Sequence, residues 1–109
     1  MQPSLPTRFD ENQLRHIIDQ AMIYMCACPA QVANEILQLR RLHAYQRGCL
    51  ERGGVLDAVH EHIAAATEEA HARMEECLDA VLELEGWDRD SLEMPAGLRR
   101  LRDQTIERG

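Results

Sequence analysis

Aromatic residues are nearly absent from this chain: Phe9, Tyr24, Tyr45 and Trp87 are all it has. A core must therefore be built from Leu, Ile, Val, Met and Ala, a palette that suits helices. Strand formers are equally thin, and no run alternates apolar and polar residues long enough to make a half-buried sheet. No stretch approaches the roughly 20 apolar residues of a membrane span, because even the apolar segment 21–30 is short and reaches Pro29. The first ten residues lack an apolar core behind a basic start, so they do not read as a secretory signal, and a cytoplasmic location is expected. Lysine is missing altogether, with all twelve basic residues being arginine, which reflects composition and carries no functional weight. An excess of positive charge is missing too. A net charge of -7 argues against a general nucleic-acid binder, which needs cations to neutralise phosphates. Neither Ser nor Cys stands in a nucleophile elbow or glycine loop with an ordered acid–base partner, so no catalytic residue is assigned. There is no internal repeat and no low-complexity tract.

What remains is a chain of 109 residues, 45% hydrophobic and 28% charged, the proportions of one globular domain. At this size folding buries about two thirds of the surface that the unfolded chain exposes, too little for a second core. The pattern predicts an all-α antiparallel helical bundle: an extended leader at 1–9, main helices at 10–27, 29–52 and 55–85, and a short terminal helix at 96–107. Asp10 is placed to cap the first helix with Glu11 in its first turn. Pro29 separates the first helix from the second, because the residue before proline avoids helical geometry while proline itself suits a first turn. Gly53 and Gly54 mark the next turn, and Gly86 ends the third helix so that Trp87 can fold back on Leu82.

Each helix carries apolar residues at helical spacing. The first presents Leu14, Ile17, Ile18, Ala21, Met22 and Met25. The second presents Val32, Ile36, Leu39, His43 and Leu50, widened by Leu42 and Cys49. The third presents Leu56, Val59, Ile63, Ala66, Ala70, Met74, Cys77, Val81 and Leu84, a stripe expected to form the core contact. At about 1.5 Å per residue the third helix is too long for its partners to cover. Trp87 with the terminal helix, or the same face of another copy, would cover the surplus, and a homodimer is expected. Charge also divides the helices: 29–52 carries four Arg against two Glu, while 55–85 carries nine acidic residues against Arg73 alone. This favours the two as antiparallel neighbours. On the terminal helix, Arg99, Arg100 and Arg102 form either a solvated face or a grip on an acidic surface.

Among groups that could carry chemistry, Glu68, His71 and Glu75 stand first, since Glu-x-x-His followed by a carboxylate four residues on brings oxygen and imidazole donors onto one side of a helix. Glu35 on the second helix is a candidate fourth donor. By projection His71 lies at the edge of the apolar stripe, and both glutamates lie further toward solvent, so a solvated helix face is the competing account. His43 falls inside the apolar arc of the second helix, where a buried imidazole needs a hydrogen-bond partner. Such a histidine is more often a satisfied core residue than a metal or haem ligand. His60 and His71 share a flank three turns apart, too far for one ion, while His62 projects to the surface. Cys26, Cys28, Cys49 and Cys77 do not have the paired spacing of zinc or iron–sulfur sites. Cys49 and Cys77 read as small core residues. Cys26 and Cys28 read as ordinary thiols at a helix junction, with a redox or copper role as the sharper alternative.

The Glu68-x-x-His71 motif resembles that of the ferritin-like family, in which such motifs combine with glutamates from other helices to bind two metals. The resemblance implies a metal-binding bundle, with iron or zinc held between subunits, because the chain has one copy of the motif where a single-chain bundle needs two. The residues themselves point first to a non-enzymatic helical interaction or regulatory protein that self-associates, with another protein as a further partner, and without nucleic acid or membrane.

Overall fold

The computed structural model of the chain describes residues 5–23 and 27–95. They form three helices, α1 (Glu11–Ile23), α2 (Cys28–Arg52) and α3 (Asp57–Glu85), with no strand among the described residues. The architecture is all-α, as composition and periodicity require. The expected terminal helix, with Arg99, Arg100 and Arg102, lies outside the described residues, as do Cys26 and Met25.

Local chemistry sets the helix ends close to their expected places. The Asp10 carboxylate accepts the Gln13 N–H at 2.7 Å and the Gln13 side chain accepts the Asp10 N–H at 2.9 Å, a reciprocal cap that satisfies two donors at the start of α1. Pro29 sits in the first turn of α2, one residue inside a start at Cys28. Gly53, at φ 74°, ends α2 with its N–H on the Leu50 carbonyl. α3 starts two residues later than expected, leaving Val55 wholly exposed. At its far end Gly86 adopts the left-handed conformation. Its N–H reaches the Glu83 carbonyl and the Trp87 N–H reaches the Leu82 carbonyl at 2.9 Å, the paired bonds of a Schellman stop. Trp87 and Leu82 are both buried in the core, as the sequence suggested.

α2 and α3 are antiparallel neighbours, since partners on α3 descend in number as those on α2 rise: Arg40 meets His71 and Glu75, His43 meets Glu68, and Gln46 meets His60. α1 has 13 residues against 25 in α2 and 29 in α3, so it covers only one end of the pair. That end holds the apolar core, made of Phe9, Leu14, Ile17 and Ala21 with Ala30, Ala33, Ile36 and Leu37 from α2 and Leu78 and Leu82 from α3. The segment after α3 closes it with Trp87, Leu92 and Met94. The other end, where α2 runs into the Gly53–Gly54 turn and α3 leaves it, is, among the described residues, a two-helix arm.

The inward face of α3 differs from expectation. Its buried residues are Ala64, Thr67, His71, Glu75, Leu78 and Leu82, whereas the expected core stripe faces largely elsewhere, with Met74 packing on the core from its edge. Leu56, Val59 and Leu84 are 57%, 49% and 86% exposed; Ala66 and Ala70 are exposed; Ile63, Met74, Cys77 and Val81 are half-buried. At about 100° per residue this stripe lies on the side of α3 away from Glu68, Glu75 and Asp79. Glu75 and Asp79 are held by Arg8 and Phe9 from the segment before α1, so the stripe is on the side opposite α1. On α2, Ile36 and His43 are buried as expected and Val32, Leu39 and Leu50 are half-buried, while Leu42 is exposed. Cys49 and Cys77, expected in the core, are half-buried thiols.

Candidate functional site: a buried polar ladder between α2 and α3

The sequence that turns away most of its apolar stripe turns in a polar one, and the rung nearest the apolar core is Glu75, 2% exposed. A carboxylate in such a place is costly unless cations and donors surround it. Three donors converge on its Oε2: the N–H groups of Arg8 at 2.9 Å and Phe9 at 3.1 Å, and the Arg40 guanidinium at 3.2 Å. Arg40 also donates to the Phe9 carbonyl, so one arginine and one glutamate hold both polar groups of the Phe9 backbone. Phe9 is thereby fixed with its ring fully buried and the Arg89 guanidinium 4.5 Å from the ring centroid.

His71, 1% exposed, is the next rung. Its Nε2 accepts a hydrogen bond from Arg40 Nε at 3.0 Å, and its Nδ1 lies 3.8 Å from Glu75 Oε1. A guanidinium donates and never accepts, so this bond requires His71 Nε2 to be unprotonated and the ring neutral. Burial pushes the His71 pKa below its ordinary value; Glu75 opposes that shift, while Arg40 and His43 add to it. Protonation would set an imidazolium against the guanidinium that now donates to it.

Further along the arm, His43 Nε2 lies 3.0 Å from Glu68 Oε1, and the Arg47 guanidinium lies 3.7 Å from the same oxygen. His43 thus finds the polar partner on a facing helix that its buried position called for. The outermost rung pairs His60 Nδ1 with the buried Gln46 side chain at 2.6 Å. Thr67, also inward, satisfies itself on the Ile63 carbonyl at 2.6 Å. His62 is exposed, as projected.

Two of the four expected metal donors therefore change setting. His71 and Glu75 are in the interior, where projection placed them at the edge of the stripe and beyond it. Glu68 is half-buried, and the exposed Glu35 projects from another side of α2 than Arg40 and Arg47. Arginines supply the positive charge that Glu68 and Glu75 face, and among the described residues no three His, Cys, Asp or Glu side chains group so that they could hold a metal ion. The arginines were the residues that sequence reasoning missed. Arg40 and Arg47 share with His43 the face of α2 that meets α3, and that coincidence was the available signal.

One shallow groove, lined by Asp10, Asn12, Gln13, His16, Asp90, Ser91 and Leu92, opens between the start of α1 and the turn after α3. No helix among the described residues is long and apolar enough to cross a membrane. Comparison with protein-family models, with curated proteins and with solved structures finds no match to this chain.

Proposed function

We propose that this chain is a non-enzymatic helical interaction protein that works by self-association through the α3 face opposite α1. The observation that carries this reading is the stripe Leu56–Val59–Ile63–Ala66–Ala70–Met74–Cys77–Val81–Leu84, whose members are exposed or half-buried along the whole of α3. A run of apolar side chains of this length, of which Met74 packs on the core and the ends lie exposed while His71 and Glu75 go inside, marks a protein contact surface. Leu42 on α2 is exposed as well. The polar ladder serves this role structurally: it fixes the register of the arm and leaves the apolar residues outside.

Sedimentation equilibrium at micromolar concentration tests the reading. A dimer is expected, and Leu84→Glu with Val59→Glu should return it to a monomer whose circular dichroism is unchanged. A wild-type monomer over that concentration range removes the proposal.

A further inference from the structure

The spacing of the α3 stripe reads the same in both directions. From Leu56 to Leu84 its spacings are 3, 4, 3, 4, 4, 3, 4 and 3 residues, symmetric about Ala70. Residue types follow the same symmetry at the ends, with Leu56 answering Leu84 and Val59 answering Val81, while nearer the middle Ile63 answers Cys77 and Ala66 answers Met74 about Ala70. In an isologous contact one patch meets itself, so residue i touches j and j touches i, which is the arrangement a self-symmetric stripe satisfies.

We infer that the occupant of this face is a second copy of the chain, its α3 running antiparallel to the first about a two-fold axis at Ala70. This rests on the self-association reading and adds its geometry. Contacting residues have numbers that sum to 140. Leu56 packs on Leu84 of the second copy, Val59 on its Val81, Ile63 on its Cys77, Ala66 on its Met74, and Ala70 on its Ala70. Ala70 at the axis lets the helices approach closely, Ala66 leaves room for the larger Met74 of the second copy, and the Leu and Val pairs lie toward the ends, over about 42 Å from Leu56 to Leu84. Alternate 3- and 4-residue steps are the spacing by which facing helices interdigitate.

Charge agrees with this register. No charged residue falls in the sector of α3 that the stripe occupies. On its outer border the antiparallel arrangement sets Arg73, which in its own protomer pairs with Glu76 at 3.3 Å, beside Glu69 of the second copy as well. This pair recurs through the two-fold axis.

Disulfide trapping reads the register directly. In a chain with Cys26, Cys28 and Cys49 replaced by Ser, Cys77 is the remaining thiol. Antiparallel pairing about Ala70 puts the two Cys77 residues about 21 Å apart along the helices, whereas a disulfide needs Cα atoms within about 7 Å. This chain should sediment as a dimer yet run at protomer mass after mild oxidation. Adding Ile63→Cys places a new thiol against Cys77 of the second copy, and oxidation should then double the mass on a non-reducing gel. Ala70→Cys in a background that also lacks Cys77 should do the same by linking to itself; Ala70 is exposed, so the protomer tolerates the change. Self-linking of Cys77 alone, as in a parallel dimer, overturns the register. A dimer that neither Ile63→Cys nor Ala70→Cys links also overturns the register and leaves self-association standing. A monomer throughout, including one whose stripe is covered by residues 96–109 of its own chain, removes both.

Discussion

The two ends of the α2–α3 pair are built on opposite plans. Beneath α1, Ile36, Leu37, Leu78 and Leu82 point inward and the fold is held by apolar burial. In the arm, His43, Gln46, Glu68 and His60 point inward, and the larger apolar residues Leu42, Leu56 and Val59 point outward. A pair of helices has one mutual face, and where no third helix among the described residues packs on it, apolar side chains gain little by being there. What such a pair needs from its interior is a fixed register. Directional hydrogen bonds supply register well and net stability poorly, because desolvating polar groups offsets most of what their pairing contributes. The apolar end therefore carries the stability and the arm carries the surface.

Substitutions can break that contrast, and the largest effect belongs to the boundary between the regions. Glu75→Ala would leave the Arg40 guanidinium and two backbone N–H groups without their acceptor, and removing one partner of a buried pair costs about 3 to 5 kcal/mol. The unfolding free energy in urea should fall by that amount. Within the apolar end, Leu82→Ala should cost about 2 to 5 kcal/mol by the cavity it leaves. Leu84→Ala, two residues along the same helix but outside, should change the protomer by less than about 0.5 kcal/mol when measured dilute enough to be monomeric. Equal losses from the two leucines would mean that α3 is turned differently.

Acid should weaken the boundary as well. The folded pKa of His71 lies below the ordinary 6.5, so between those two values the unfolded chain binds a proton that the folded chain does not. Stability contributed by neutral His71 is complete above pH 6.5 and declines as pH falls below it, with a slope of at most about 1.4 kcal/mol per pH unit. Urea midpoints from pH 8 to pH 5 should show this decline, and His71→Gln should flatten it. The smallest effect is expected in the arm. Replacing His43 and Glu68 together with Leu removes a polar rung whole, a change that is often neutral or stabilising, whereas His43→Leu alone strands Glu68 beside Arg47. A double variant much less stable than either single one would show that the ladder contributes stability beyond register.

The three helices and most of their ends were legible in the sequence because their signals are local. Asp10, Pro29, Gly53 and Gly86 each act within a turn of where they stand. The inward face of α3 was not legible from that helix alone, because two stripes share its spacing: Leu56 to Leu84, and His60–Ala64–Thr67–His71–Glu75–Leu78–Leu82. Apolarity favours the first. The second prevails through partners elsewhere in the chain: Arg40 on α2, 35 residues from Glu75, and the Phe9 amide, 66 residues away. A helical projection contains neither. The same blindness affected the candidate site, where His71 and Glu75 were singled out for their chemistry but placed near water, and the arginines that neutralise and order them went unremarked. His43 was read correctly because its position alone demanded a partner.

Glu75 grips the start of the chain by peptide groups, at residues 8 and 9, and not by any side chain found there. Every amino acid except proline carries that N–H, so evolution can vary the identity of position 8 freely while the attachment persists. An imino acid at position 9 would delete a donor and leave the surrounding sequence looking intact. Drift at position 8 should accordingly keep this attachment with any residue but proline, while position 9 must in addition supply the ring that fills the core.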